Sequence, residues 1–144
     1  MTDFAPHPVI AGSTYVVGDL PLCRVLMTDD ARFPWLMLLP RRADAEEIID
    51  LTEADREQLM REISAASEAV RTLFSPLKIN VGALGNKVRQ LHVHVVARFE
   101  SDAAWPGPIW GSGAAEPFPL HAAAVLVTRF QGALAAAGLR EPTA

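Results

Sequence analysis

The chain has 144 residues, enough for one domain with a single respectable core. Half of its residues are hydrophobic and 21% are charged, an ordinary globular balance. A net charge of -4 and a pI near 5.5 exclude the basic surface that broad nucleic-acid binding needs in order to displace counterions, although a small nucleotide can still bind through local donors. The single cysteine, Cys23, cannot close an internal disulfide, so it reads as a small core residue in a reducing, cytoplasmic setting. The amino terminus has no basic stretch followed by an apolar run, which predicts no signal peptide. No apolar run is expected to reach bilayer-spanning length, so no membrane association is expected.

Residues 1–12, broken by Pro6, Pro8 and Gly12, read as an irregular lead with an exposed His7. Residues 13–18 and 22–28 read as short strands joined by the turn Gly18-Asp19-Leu20-Pro21. The continuous apolar run 35–39 has strand length, ends at Pro40 and is expected to be buried on both faces or nearly so. Arg41 and Arg42 read as a solvated turn. Thr52 is an N-cap with Glu53 and Asp55 in the first turn behind it, where the helix dipole favours acids. Leu59, Ile63, Ala66, Val70 and Leu73 recur at helical spacing and form the buried stripe of that helix. Glu53, Arg56, Glu57, Arg61, Glu62, Glu68 and Arg71 form its wet side, and Ser75-Pro76 ends it.

Residues 77–81 read as a further strand, and 82–89 as a loop that turns the chain back into another. The parts assemble most simply as an α+β fold: an antiparallel sheet with the long helix packed on one face and a second helix at the carboxyl end. The whole chain, 1–144, is expected to be one domain. Within it, 101–118 is a Pro/Gly/Trp loop. Trp105 and Trp110 need shelter there, at the core edge, at a dimer contact or in a ligand wall. Residues 119–138 form the C-terminal helix, ended by Gly138, with Val127, Phe130 and Leu134 buried and His121 exposed. Residues 141–144 read as a disordered tail.

The chemistry concentrates in residues 78–99. From Gln90 to Val96 polar and apolar residues alternate, so Gln90, His92, His94, Val96 and Arg98 share one face of a strand, and Leu91, Val93, Val95, Ala97 and Phe99 feed the core from the other. Same-face neighbours lie about 6.5 to 7 Å apart, a spacing that suits one phosphate-sized ligand. Upstream, Asn80, Gly82, Gly85 and Asn86 supply glycine backbone that can approach an anion closely and amide groups that can hold ribose or phosphate oxygens. The constellation reads as an anion or nucleotide site. A strand His-x-His is also half of a metal site, but only His7, His121 and Cys23 remain as partners and none has a ligand spacing, so no metal is expected.

The segment Gln90-Leu91-His92-Val93-His94-Val95-Val96 resembles the signature of the histidine triad (HIT) family of nucleotide hydrolases and transferases, His-φ-His-φ-His-φ-φ with φ apolar. It resembles a bacterial-type variant in which Gln90 replaces the first triad histidine. The resemblance implies that His92 is the nucleophile that attacks the α-phosphorus and carries a nucleotidyl group, and that His94 contacts the phosphate. It further implies that Asn80 holds ribose or phosphate, that Gly85-Asn86 stands for the family's Gly-Gln pair, and that Lys87 occupies the place of a Ser or Thr that touches the α-phosphate. Pro40-Arg41-Arg42 is similar to the Pro-Lys/Arg pair that closes an apolar strand in the family. A HIT-like α+β fold and a homodimer are implied as well. Glutamine donates a hydrogen bond but passes no proton at neutral pH, so Gln90 favours poorly basic leaving groups.

The resulting expectation is a purine-nucleotide hydrolase or nucleotidyl transferase acting on dinucleoside polyphosphates or nucleoside phosphoramidates. No cofactor is required, and a divalent ion such as magnesium can arrive with the substrate. The alternatives are a catalytically weak nucleotide-binding protein and a structural or regulatory homodimer that uses the Trp105 to Gly113 loop as its partner surface.

Overall fold

Five strands, β1 (Thr14–Asp19), β2 (Cys23–Thr28), β3 (Trp35–Pro40), β4 (Lys78–Gly82) and β5 (Val93–Arg98), form one antiparallel sheet in the order β1-β2-β3-β5-β4. The computed structural model describes residues 4–143, so positions 1–3 of the expected lead and 144 of the expected tail lie outside the described residues. Helices α1 (Pro8–Ala11), α2 (Glu53–Phe74) and α3 (Leu120–Leu134) complete the expected α+β arrangement.

The period-two pattern divides the sheet into two apolar faces. Cys23, Val25 and Met27 of β2, Leu36 and Leu38 of β3, and Val93, Val95 and Ala97 of β5 point to one side, where Leu59, Ala66 and Val70 of α2 and Phe130 and Leu134 of α3 cover them. On the other side, Leu26, Met37 and Leu39 pack under Ile10 of α1, and Val96 packs with Phe33 and Ile109. This double cover explains why the central strands read as nearly unbroken apolar runs.

Several expectations are corrected. The histidine strand begins at Val93 and not at Gln90, because the Leu91 N–H donates to Ala45 O instead of joining the ladder. The lead is not wholly irregular: Pro8–Ala11 is one helical turn, capped by exposed His7, whose Nδ1 accepts from Val9 N–H at 3.1 Å. Glu62 is not on the wet side. It is 2% exposed and its carboxylate accepts from Leu22 N–H at 2.8 Å and Cys23 N–H at 2.7 Å, capping backbone donors where β2 begins.

Of the expected solvated turn, Arg42 is exposed but Arg41 is largely covered. Arg41 pairs with fully buried Asp19 at 3.0 Å, and Arg42 makes a two-pronged contact with Asp55 at the start of α2. Asp19 also accepts from Arg24 and from Thr143 N–H, and its backbone bridges to Arg140, so residues 140–143 are pinned to β1 rather than disordered. By length and composition the helical stretch Leu120–Ala137 does reach membrane-spanning size, with a mean hydropathy of 1.3 over 18 residues. Its Ala123, Phe130 and Leu134 lie in the main core, while Leu120 and Val125 are exposed.

Candidate functional site

The face of the sheet opposite α2 and α3 carries the site. Trp35 and Met37 of β3 and His94 of β5 lie side by side on it, because Met37 pairs with His94 and Trp35 pairs with Val96 across the antiparallel ladder. On the other flank of β5, Gly82 of β4 pairs with His94. The Trp110 indole from the 101–118 loop lies there: a Cβ on Gly82 would come within 3.0 Å of its ring. Glycine at 82 is what lets that indole settle against the sheet.

His92 and His94 are 8% and 5% exposed, and their ring centroids are 5.0 Å apart, closer than ideal same-face strand spacing because His92 precedes the strand. The Nδ1 of His92 lies 2.6 Å from Gln90 O. A carbonyl only accepts, so Nδ1 carries a proton, and the neutral tautomer with that proton has its lone pair on Nε2. The Nδ1 of His94 accepts the indole N–H of Trp35 at 2.9 Å, which places the proton of its neutral ring on Nε2. Burial first, and the neighbouring His92 second, lower the pKa of His94 to about 4.

Both histidines line an open cavity of about 640 Å³, within the usual range for small-ligand sites. Gly85, Asn86 and Lys87 of the β4–β5 loop form one rim, with Gly85 at φ 69°, a conformation that glycine adopts without strain. The rest is largely apolar: Val9 and Ile10 of α1, Met37, Leu84, Val88 and Ile109. Asp30 and Arg32 stand at the β2–β3 turn, paired with each other at 2.8 Å. Among the described residues the buried hydroxyl of Thr28 and the indole N–H of Trp110 have no hydrogen-bond partner, and both residues line the cavity.

The structure therefore brings together His92, His94, Gly85, Asn86 and Lys87 and leaves two expected site residues outside. Asn80 shares the sheet face but lies nearer the far end of β5, where its Oδ1 accepts from Arg98 at 2.8 Å. Buried Arg98 continues to Asp102 and to Gly107 O, fastening the start of the 101–118 loop. Gln90 turns away from the cavity: its Oε1 accepts from His7 N–H at 2.7 Å and its Nε2 donates to Ala5 O at 3.0 Å. Its role in the geometry of His92 is carried by its backbone carbonyl.

Sequence reasoning missed Trp35, the α1 wall and the Asp30–Arg32 pair. For Trp35 a signal existed, since an indole N–H at the mouth of a buried strand needs an acceptor. Of the three shelters expected for the tryptophans, Trp110 takes both the core edge, packed on Phe33, Val96 and Ile109, and the cavity wall; Trp105 stacks over the Arg98 guanidinium at 5.6 Å. Among the described residues no group of three or more His, Cys, Asp or Glu side chains is placed to hold a metal ion.

An α+β protein with an open antiparallel sheet and a pair of histidines facing a small-ligand cavity is the class this fold and site define. Residues 12–101 match the HIT domain, and the chain belongs to the HIT family. The fold matches solved histidine triad proteins across nearly their full length. With the one from Bradyrhizobium japonicum it shares 43% identity at a TM-score of 0.87, covering 90% of this chain and 96% of that one. With the Sinorhizobium meliloti protein it shares 41% identity at a TM-score of 0.89 over 91% and 97%. With the Marinobacter aquaeolei protein it shares 38% identity at a TM-score of 0.91 over 94% and 98%. No significantly similar protein is found among curated ones. Proteins of the family are generally nucleotide-binding hydrolases or transferases.

Proposed function

We propose that this protein is a hydrolase or nucleotidyl transferase that acts at the α-phosphate of dinucleoside polyphosphates or nucleoside phosphoramidates through a nucleotidyl-His92 intermediate. The observation that carries the reading is the 2.6 Å contact between His92 Nδ1 and Gln90 O, which leaves Nε2 as a free nucleophile in the cavity. In the first step the Nε2 lone pair bonds to the α-phosphorus, and the bond to the leaving oxygen or nitrogen breaks with its electron pair going to the leaving group. In the second, water attacks the same phosphorus, gives up a proton to solvent and releases the nucleoside monophosphate and neutral His92. Such transfer asks mainly for positioning and for donors to the equatorial oxygens. His94 Nε2–H, the loop backbone at Gly85, Asn86 and Lys87 suit that task, and the apolar walls suit a purine.

Gln90 supplies no proton, so the leaving group takes its own from solvent, and weakly basic leaving groups react best. A second reading rests on the Gln90 side chain: with it spent on the lead, the first triad position leaves a nucleotide binder of low turnover. The reading extends to a cytoplasmic homodimer with magnesium, where present, arriving on the substrate phosphates. AMP release from diadenosine polyphosphates and adenosine phosphoramidate, measured on the unaltered protein and on His92→Ala, tests it. Turnover lost in His92→Ala, with an adenylyl adduct of the unaltered protein seen in the intact mass, supports the enzyme. A thermal shift with AMP and no turnover leaves the binder.

A further inference from the structure

We propose that Trp35 is a positioning residue of this site: its indole N–H, donated to His94 Nδ1, fixes His94 as a neutral Nε2–H donor, opposite in tautomer to His92. An indole N–H can only donate, and it lies 2.9 Å from a ring nitrogen that could otherwise carry a proton. A proton on Nδ1 would set two donors against each other at that distance. Both the Nδ1–H tautomer and the charged ring are therefore disfavoured. The neutral ring keeps Nε2–H, and a fixed tautomer gives a donor that persists once the ring is neutral.

The surroundings contain nothing that opposes this arrangement. The ionisable groups facing the cavity with His94 are His92 ahead of β5, Lys87 from the β4–β5 loop, and Asp30 and Arg32 from the β2–β3 turn, which pair with each other. β3 and the 101–118 loop present the uncharged rings of Trp35 and Trp110, each with its centroid 5.5 Å from that of His94. β4 presents Gly82 and α1 presents Val9 and Ile10. Among the described residues no carboxylate in the cavity is free to draw a proton onto His94. Burial acts in the same direction, holding the pKa of His94 down at about 4.

The ring state stands on geometry alone, while its effect on turnover rests on the hydrolase reading. Nitrogen-15 spectra of the histidine rings separate the two. In the unaltered protein His94 Nδ1 is expected to be unprotonated and Nε2 protonated, without change between about pH 5 and pH 8, and a coupling across the hydrogen bond should join Trp35 Nε1 to His94 Nδ1. In Trp35→Phe the coupling is lost, a protonated Nδ1 appears on His94 at neutral pH, and kcat falls about ten-fold while KM changes less than about two-fold. A protonated Nδ1 or an absent coupling in the unaltered protein overturns the proposal even if Trp35→Phe does not fold. A Trp35→Phe protein whose His94 keeps its tautomer also overturns it. The expected ring signals without turnover in either protein support the positioning and count against the hydrolase.

Discussion

Replacing Gln90 with alanine separates a latch from a catalyst. The Gln90 amide uses its oxygen on His7 N–H at 2.7 Å and its nitrogen on Ala5 O at 3.0 Å, tying down the chain just before α1. Both bonds are at the surface, so each contributes about 1 kcal/mol net. Their loss lowers the free energy for opening the lead by about 2 kcal/mol, roughly a 30-fold faster opening-limited amide exchange. Ala11 N–H and Gly12 N–H, bonded to His7 O and Pro8 O, are the reporters, read by hydrogen exchange followed by NMR. The denaturation midpoint should barely move, because α1 contributes only Ile10 to the buried core. Val9 and Ile10 wall the cavity, so looser seating of α1 raises KM and leaves kcat nearly constant. Unchanged exchange at Ala11 and Gly12 together with a fallen kcat would refute this reasoning and assign the Gln90 amide to the substrate.

Glu62→Ala strips the partner from two buried backbone donors, Leu22 N–H and Cys23 N–H, and should cost about 3 kcal/mol in urea denaturation; a loss under about 1 kcal/mol would contradict the capping role. His94, lowered to about 4 by burial and then by His92, binds its proton more weakly in the folded chain than in the unfolded one. Its contribution is therefore complete above about pH 6.5 and is lost as pH falls toward 4, about 3 kcal/mol in all, and His94→Gln should flatten that part of the stability profile. Asp102, held down to about 2 chiefly by the Arg98 hydrogen bonds, keeps its contribution above about pH 4 and loses it toward pH 2, about 2 kcal/mol that Asp102→Asn should abolish at neutral pH.

The sheet, the long helix and the histidine face were legible because apolar periodicity is a local signal and burial on both sides preserved it. The histidine pair and the Gly85–Lys87 loop were legible as a short motif. What was not legible depends on residues distant in sequence. Glu62 looks like any helix-surface acid until the start of β2, 40 residues earlier in the chain, is laid beside it. Arg41 looks solvated until Asp19 arrives from another element. Asn80 was assigned by its offset from the histidines, but strand register decides where a side chain lands, and pairing with Val96 puts it beside Arg98. Gln90 was assigned by the strand pattern, which fails there because the ladder starts three residues later.

Those misplacements share a cause that bears on how the site works. Two polar side chains expected at the site are spent on fastening the walls: Gln90 holds the lead that carries α1, and Asn80 joins Arg98 and Asp102 to hold the loop that carries Ile109 and Trp110. What remains inside is a cavity whose histidines each have one nitrogen committed to the protein, His92 to a carbonyl and His94 to an indole. Each ring thus presents a single, chemically opposite nitrogen to a ligand, one a lone pair and the other a proton. A chain of net charge -4 can in this way offer an anion a nucleophile and a donor without a cluster of cations, since the discrimination lies in two fixed tautomers rather than in charge.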